Sequence, residues 1–376
     1  MKKLLFIVNN DYFFLSHRLP IALEAKNQGY EVHLAAKVTN KCNALEERGL
    51  IVHDIELDRR KIGITLLREF FIILSIIKKI NPDIVHLVTI KPVLLGGIAA
   101  RLANISAVVT AISGLGYMYS NKGFISKIKR KILSVFYYCS LNHKNQVVIF
   151  QNIDDKSRLG SVNRSIYTKS ILIPGSGVDL SLYTVKNFNK HTPVVMFASR
   201  LLASKGVREF VNVAKIINKK ECIARFVLVG SIDLSNPESI TQKEIDLWRD
   251  EGNVEIWGHR NNMHEVIPLA NIVVLPSYYG EGLPKVLIEA AACGRAVITT
   301  DHPGCRDAII NGSTGVLVPV KNVSLLSKMI LNLISDPIYC ENLGLSGRKM
   351  AEERFDINQV VSNHMHVYKA LLSKLA

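Results

Sequence analysis

Short apolar runs alternate with longer helical patterns through the first half of the chain. Residues 4–8 (Leu-Leu-Phe-Ile-Val) read as a buried strand. Residues 19–28 predict a helix that Gly29 stops. Strands are expected at 31–36 and, more weakly, at 51–57. A very apolar helix at 62–80 ends at Asn81-Pro82, and strand 83–88, helix 93–103 and strands 107–112 and 146–151 follow. The strands are apolar almost throughout, which predicts a parallel sheet covered by helices on both faces.

A break follows. Ile173-Pro174-Gly175-Ser176-Gly177-Val178-Asp179 is dense in turn residues, and 186–191 is polar and irregular. The pattern then restarts, with strands expected at 194–198, 226–229, 254–257, 272–275, 296–299 and 316–318. The expected fold class is α/β, with two Rossmann-like, doubly wound parallel-sheet domains at 1–175 and 190–355. A C-terminal helix in 356–376 is expected to pack back on the first domain. A chain of 376 residues, 48% hydrophobic, suffices for two cores. Such sheets bind ligands outside the carboxyl ends of their strands, and two domains facing each other would enclose a cleft. Candidate chemistry is therefore sought in loops that follow strands.

Charge changes this picture. The net charge is +15, yet residues 1–200 carry 28 Lys and Arg against 13 Asp and Glu, while the rest carries 19 of each. The excess is densest in the stretch holding Lys122, Lys127, Lys129, Arg130 and Lys131, where cations interleave with Phe136, Tyr137 and aliphatic residues and no acid occurs. That mixture suits an anionic membrane surface. An ordinary helix with a solvated basic face would read the same way. No zinc-finger spacing or RNA-binding signature appears, so nucleic acid is not an expected partner.

The apolar run after Met1-Lys2-Lys3 stops at Asn9, short of the roughly 7–15 residues of a signal-peptide core. Arg68 and Glu69 interrupt 62–80, and Gly96, Gly97, Arg101 and Asn104 interrupt 92–112, so neither reads as a spanning helix. Cysteines at 42, 139, 222, 293, 305 and 340 form no C-x-x-C pair. Reduced thiols and a cytoplasmic protein, peripheral on the inner face of the cell membrane, are expected.

Three loops of the second half carry chemistry. After strand 194–198 comes Ser199-Arg200-Leu201-Leu202-Ala203-Ser204-Lys205-Gly206. Two cations beside the start of a helix make an anion site, Arg200 suiting bidentate grip and Lys205 acting as a point charge. After strand 272–275 comes Pro276-Ser277, then Glu281-Gly282-Leu283-Pro284-Lys285, with Glu289 further along. Pro284 suits the first turn of a helix that would carry Glu289. One carboxylate in the loop and one on the helix could grip two sets of sugar hydroxyls. After strand 296–299 come Asp301-His302-Pro303-Gly304 and later Asn311-Gly312-Ser313-Thr314-Gly315. Solvated loops with lone acids remain the plain alternative for each.

These motifs, in this order and spacing, resemble glycosyltransferase family 4, which has the GT-B fold. The S-R-L-x-x-x-K-G motif spans 199–206, and the P-S-x-x-E-G-x-P-x-x-x-x-E-A-x-x-x-G motif, with its E-x7-E core, spans 276–294. The resemblance implies that Arg200 and Lys205 hold a nucleotide diphosphate and that Glu289 holds the ribose. Glu281 and the backbone of Gly282, Leu283, Pro284 and Lys285 would hold the donor sugar, and Gly258-His259 the base. It implies no cofactor and no metal.

The first half more weakly resembles the branch acting on undecaprenyl-diphosphate-linked saccharides. The stretches are Ser16-His17-Arg18-Leu19-Pro20, Asp83 to Lys91, Ser113-Gly114-Leu115-Gly116-Tyr117 and the linker at 173–179. His17, Arg18, Lys91, Gly114 and Tyr117 are thereby candidates for acceptor binding. His86 joins Arg200, Lys205 and Glu281 as a catalytic candidate. Two departures stand out. Many relatives carry a Gly-Gly loop after the first strand, where this chain has Asn9-Asn10-Asp11-Tyr12; many carry a histidine after strand 107–112, where Ser113-Gly114 stands.

The implied activity is retaining transfer of a hexose or N-acetylhexosamine from a nucleotide sugar, UDP-linked, to a lipid-diphosphate-linked saccharide in bacterial surface polysaccharide assembly. The partners are that donor, that acceptor and an anionic membrane met through the basic first domain. The competing readings are an epimerase or hydrolase of nucleotide sugars on the same fold, and a sugar-nucleotide-binding protein without turnover.

Overall fold

A computed structural model describes the backbone of residues 1–39, 42–57, 64–115, 124–188, 192–219, 224–234 and 236–374, and their side chains except at 42, 64 and 124–130. The chain divides into two compact units, 1–176 with 358–376, and 177–357.

In the first unit the strands are β1 (Lys3–Asn10), β2 (Glu31–Lys37), β3 (Ile51–Asp54), β4 (Ile84–Val88), β5 (Ala107–Ile112), β6 (Gln146–Phe150) and β7 (Ser170–Leu172). The helices of that segment are α1 (Asp11–His17), α2 (Leu19–Asn27), α3 (Cys42–Glu46), α4 (Ile64–Ile80), α5 (Ile90–Leu102), α6 (Phe124–Ser140), α7 (Ile153–Val162) and α8 (Arg164–Thr168). All strands are parallel, in the order β3-β2-β1-β4-β5-β6-β7. β1 shows why its residues form an unbroken apolar run. Leu4, Phe6 and Val8 pack into one core, Leu5 and Ile7 into another on the opposite face, and all are fully buried. Alternate side chains point to opposite faces, so a strand covered on both sides needs apolar residues at every position.

The second unit holds β8 (Val194–Ala198), β9 (Arg225–Val229), β10 (Glu255–Gly258), β11 (Ile272–Leu275), β12 (Ala296–Thr300) and β13 (Val316–Val318). Its helices are α9 (Val207–Asn218), α10 (Gln242–Glu251), α11 (Met263–Val266), α12 (Lys285–Ala292), α13 (Val323–Ser335) and α14 (Pro337–Arg354). The sheet is again parallel, ordered β10-β9-β8-β11-β12-β13. The last helix, α15 (Ile357–Ser373), buries Val360, Met365, Tyr368 and Leu371 in the first unit's core beside Leu4 and Phe6.

The expected strands all form, and the differences lie at short elements. β3 is cut to four residues, and β7, an edge strand of three, had no periodicity to announce it. Helix α1 follows β1 without a loop because the Asn10 side chain accepts from the Phe13 N–H at 2.9 Å and caps it. The Asn-Asn-Asp departure from the family's Gly-Gly loop is thus a helix cap. Pro284 stands one place earlier than expected, at the N-cap of α12.

In each sheet the strand order reverses at one place, between β1 and β4 and between β8 and β11. Loops leaving adjacent strands there diverge to opposite faces and open a crevice at the carboxyl ends. The motif loops of the second half leave β8 and β11.

Candidate active site

The β8–α9 and β11–α12 loops meet through Gly206. Its φ is +81°, and a Cβ there would drive into the Pro276 carbonyl oxygen. Only glycine allows both the left-handed turn and this approach. The Tyr278 N–H then donates to the Ser204 carbonyl at 2.9 Å, and the Ser277 hydroxyl lies 3.2 Å from the same oxygen. Lys205 is carried inward, 8% exposed, and its ammonium pairs with Glu281, also 8% exposed. The Ser277 hydroxyl donates to that carboxylate at 3.0 Å, and the Tyr279 ring lies 5.6 Å from the ammonium. Gly304, with φ +81°, lets the β12 exit loop close on the same carboxylate loop; a Cβ would stand 2.5 Å from the Gly282 carbonyl oxygen.

Arg200 behaves differently. Its Nη1 pairs with Asp233 Oδ2 at 2.8 Å, with 43% of the arginine side chain exposed. Glu289 sits buried on the second turn of α12; its Oε1 accepts from the Tyr183 hydroxyl at 2.8 Å and lies 3.6 Å from Lys285 Nζ. Burial first, then Glu289, pushes the Tyr183 phenol far up, so it stays a donor to the carboxylate. Gly258 ends β10 with φ +69°, and His259 beyond it is exposed, its Nε2 2.9 Å from Asn261 Oδ1. Burial pushes the Cys305 thiol up to about 12, with Glu281 adding to the effect. That sulfur is a neutral core group and no nucleophile.

The structure therefore brings the donor-site candidates Arg200, Lys205, Glu281, Gly282, Leu283, Pro284, Lys285 and Glu289 to the two loops at the reversal of strand order. It also adds what sequence reasoning missed: each cation already holds a carboxylate. Asp233 and Tyr183 are new members. Asp233 follows β9, so the rule of loops after strands could have found it; Tyr183 lay in the linker, with no signal. No group of three His, Cys, Asp or Glu is placed to hold a metal among the described residues.

The candidates of the first unit scatter. His17 is half-buried, stacked on Phe13 with ring centroids 4.2 Å apart and its Nδ1 2.5 Å from the Ser16 hydroxyl. Lys91, in the first turn of α5, pairs with buried Glu69 of α4 at 2.6 Å. Gly114 takes φ +99° just beyond β5, and Tyr117 lies outside the described residues. Thr89, between β4 and α5, has φ +73° and ψ 160°, a combination costly for any side chain and worst for a β-branched one. Arg18 is 2% exposed; its Nη1 donates to the His17 carbonyl at 2.9 Å, and burial lowers its pKa to about 10, so it remains charged.

His86 as a catalytic group is corrected by its placement. It is the middle residue of β4, not its end, and is fully buried. Its ring stacks on Phe6 and His364, and its Nδ1 lies 2.6 Å from the Tyr368 hydroxyl. Desolvation drives its pKa well below the ordinary value and takes that of His364 to about 3. Both rings are neutral when folded and free to protonate when unfolded. A depressed histidine pKa gives stability that is whole above the unfolded value of 6.5 and is lost as pH falls from there toward the folded pKa. His364→Leu is expected to flatten the acid side of the thermal-stability profile by on the order of 1 kcal/mol at pH 5.5. Parallel profiles for variant and wild type would show that His364 is not buried neutral.

Comparison with known proteins agrees with this architecture. Residues 183–350 match the family model for glycosyl transferases group 1, and residues 3–152 match the model for glycosyl transferase 4-like domains. A Campylobacter jejuni relative, N,N'-diacetylbacillosaminyl-diphospho-undecaprenol alpha-1,3-N-acetylgalactosaminyltransferase, is 28% identical over 96% of this chain and 99% of its own. An Escherichia coli relative, UDP-Gal:alpha-D-GlcNAc-diphosphoundecaprenol alpha-1,3-galactosyltransferase, is 23% identical over 73% of each. Among solved structures, Anabaena HepE in complex with UDP and glucose superposes with a TM-score of 0.78 at 16% identity, over 98% of this chain and 100% of its own. Two parallel-sheet units with the motif loops at the strand-order reversal define a glycosyltransferase of GT-B fold. The chain belongs to glycosyltransferase family 4.

Proposed function

We propose that the chain moves a sugar, a hexose or N-acetylhexosamine, from a UDP-sugar to a lipid-diphosphate-linked saccharide with retention at the anomeric carbon. The observation that carries this is the buried Lys205–Glu281 pair, held where the β8 and β11 loops touch, with Arg200 in the first of these loops and Glu289 on the helix that follows the second. Two relatives with diphosphoundecaprenol acceptors in their names, one of them with a UDP-sugar donor, support the choice of substrates.

In this reading the diphosphate enters beside the start of α9 and draws Arg200 from Asp233. That exchange is cheap, because a half-exposed ion pair is held by little. As the anomeric C–O bond breaks, negative charge grows on the leaving phosphate, and Arg200 and Lys205 stabilise it where it develops. Glu281 keeps Lys205 fixed and desolvated, so no reorganisation is needed at that moment. A phosphate oxygen of the leaving group accepts the acceptor hydroxyl's proton on the face where the new bond forms, which gives retention. Loops leaving the first unit's strands, Thr89 to Lys91 and Ser113-Gly114, supply the acceptor's site.

Glu289 accepts from the ribose hydroxyls in place of Tyr183. Glu289→Ala is expected to weaken UDP binding about 10- to 100-fold, the worth of one or two hydrogen bonds to a charged group. Calorimetric titration with UDP measures it, and unchanged affinity would remove the ribose assignment. Product analysis with UDP- and GDP-sugars and a polyprenyl-diphosphate saccharide tests the whole reading. Release of UDP or an epimer without acceptor would replace transfer by hydrolysis or epimerisation.

A further inference from the structure

Two buried charges of opposite sign hold the turn that leaves β5, and the reaction as read so far uses neither. β5 lies between β4 and β6 in the sheet, and Ser113 and Gly114 follow it directly. Gly114, with φ +99°, takes the chain into the left-handed region. A glycine turn has many conformations open to it, so something beyond the local backbone must select one. Asp155 acts at one end. It stands in the first turn of α7, at the exit of β6, and is 4% exposed. Its N–H donates to Asn152 Oδ1 at 2.8 Å, and Asn152 Nδ2 donates back to its Oδ2 at 3.1 Å, which fixes the helix start. The carboxylate also accepts from the Leu115 N–H, one residue past Gly114.

Burial raises the Asp155 carboxyl to about 6; Arg158 nearby favours its charge and Asp154 opposes it. A folded value above the unfolded 3.8 gives stability that is whole below 3.8 and lost as pH rises through 6. The ionised carboxylate therefore costs stability at neutral pH, and stability alone gives no reason to keep it. Arg18 acts at the other end. It stands between α1 and α2, and its Nη2 lies 3.5 Å from Ser113 Oγ. Among the described residues no carboxylate pairs with it. Buried as it is, this guanidinium reaches no ligand without moving. It attracts the lone pairs of half-buried Ser113 and so turns the hydroxyl proton away from itself.

We infer that Arg18 and Asp155 are positioning residues that clamp the Ser113-Gly114 turn, one at each end, so that the Ser113 hydroxyl presents its proton to an oxygen of the acceptor. Their role rests on that turn belonging to the acceptor's site. It takes Arg18 out of direct contact with the acceptor and brings in Asp155, a residue on no motif.

Kinetics of the full chain with a UDP-sugar and a polyprenyl-diphosphate saccharide test the clamp. Asp155→Ala is expected to raise the acceptor KM about tenfold, the worth of one hydrogen bond to a charged group, with kcat and UDP affinity little changed. Asp155→Asn keeps an oxygen for the Leu115 N–H, so its acceptor KM should stay within about threefold of wild type, and it should melt no lower at neutral pH. An unchanged acceptor KM in Asp155→Ala overturns the role of Asp155, and so does an Asn variant as impaired as the Ala variant. Ser113→Ala separates positioning from contact. Arg18→Gln should cost about fivefold in acceptor KM alone and nothing further in the Ser113→Ala background. Losses that add would make Arg18 a contact residue and overturn its role. Amide exchange at residues 113–115 needs no acceptor, and it should be slow in wild type and at least about tenfold faster in Asp155→Ala. Equal exchange in the two overturns the clamp. A wild type with slow exchange that transfers to no polyprenyl acceptor would sink the acceptor reading and leave the clamp standing.

Discussion

Arg200→Ala is expected to lower turnover about 10²–10³-fold, the usual loss when one donor to a developing oxyanion is removed. The thermal midpoint should barely move. Arg200 and Asp233 form a pair whose arginine side chain is 43% exposed, and such pairs contribute about 0–1 kcal/mol. Spread over a unit of this size, that is a few degrees at most. Arg200→Lys keeps the charge but loses the planar fork, so it should fall between the two. Initial rates and a melting curve on the same preparation decide the matter. Wild-type kcat in Arg200→Ala would remove the residue from the leaving-group site. A large fall in melting temperature would instead make it structural.

Glu281→Ala should fail in a different way. Lys205 and Glu281 are each 8% exposed, and removing the acid strands an ammonium with its desolvation unrelieved. The expected loss is about 3–5 kcal/mol. At about 2–4 °C per kcal/mol for a unit of this size, the midpoint should drop by roughly 6–20 °C. Activity should fall with it even well below the new midpoint, because the stranded lysine is no longer held. Lys205→Met combined with Glu281→Leu separates the two effects. An apolar pair of similar volume should recover most of the stability and none of the turnover. If Glu281→Ala melts with the wild type, the pair is not buried as described. If the double variant turns over, the pair is not catalytic.

The donor half of the site was legible because its parts lie close in sequence. Ser199 to Gly206 occupies one loop, and Glu281 and Glu289 stand eight positions apart on the next motif, so order and spacing survive in one dimension. The acceptor half was less legible. His86 looked like a reactive histidine by position in a motif, yet its place at the centre of β4 put the ring into the core. Its partner Tyr368 lies 282 residues away on α15, a separation no local pattern can encode. Glu69 was read as a break in an apolar helix, where it is the buried counterion of Lys91.

The sequence by itself determined the strands other than β7, the parallel sheets and the donor motifs. Apolar runs of strand length have one stable use, burial on both faces, and glycines such as Gly206 mark where backbones must touch. Only the tertiary structure decided the charge state of the site. Arg200 and Lys205 each meet a carboxylate from a different loop, Asp233 on Arg200 and Glu281 on Lys205. Whether a charge is free, paired or buried depends on which groups folding brings within a few ångströms and how much water it removes, and neither is written in the order of residues.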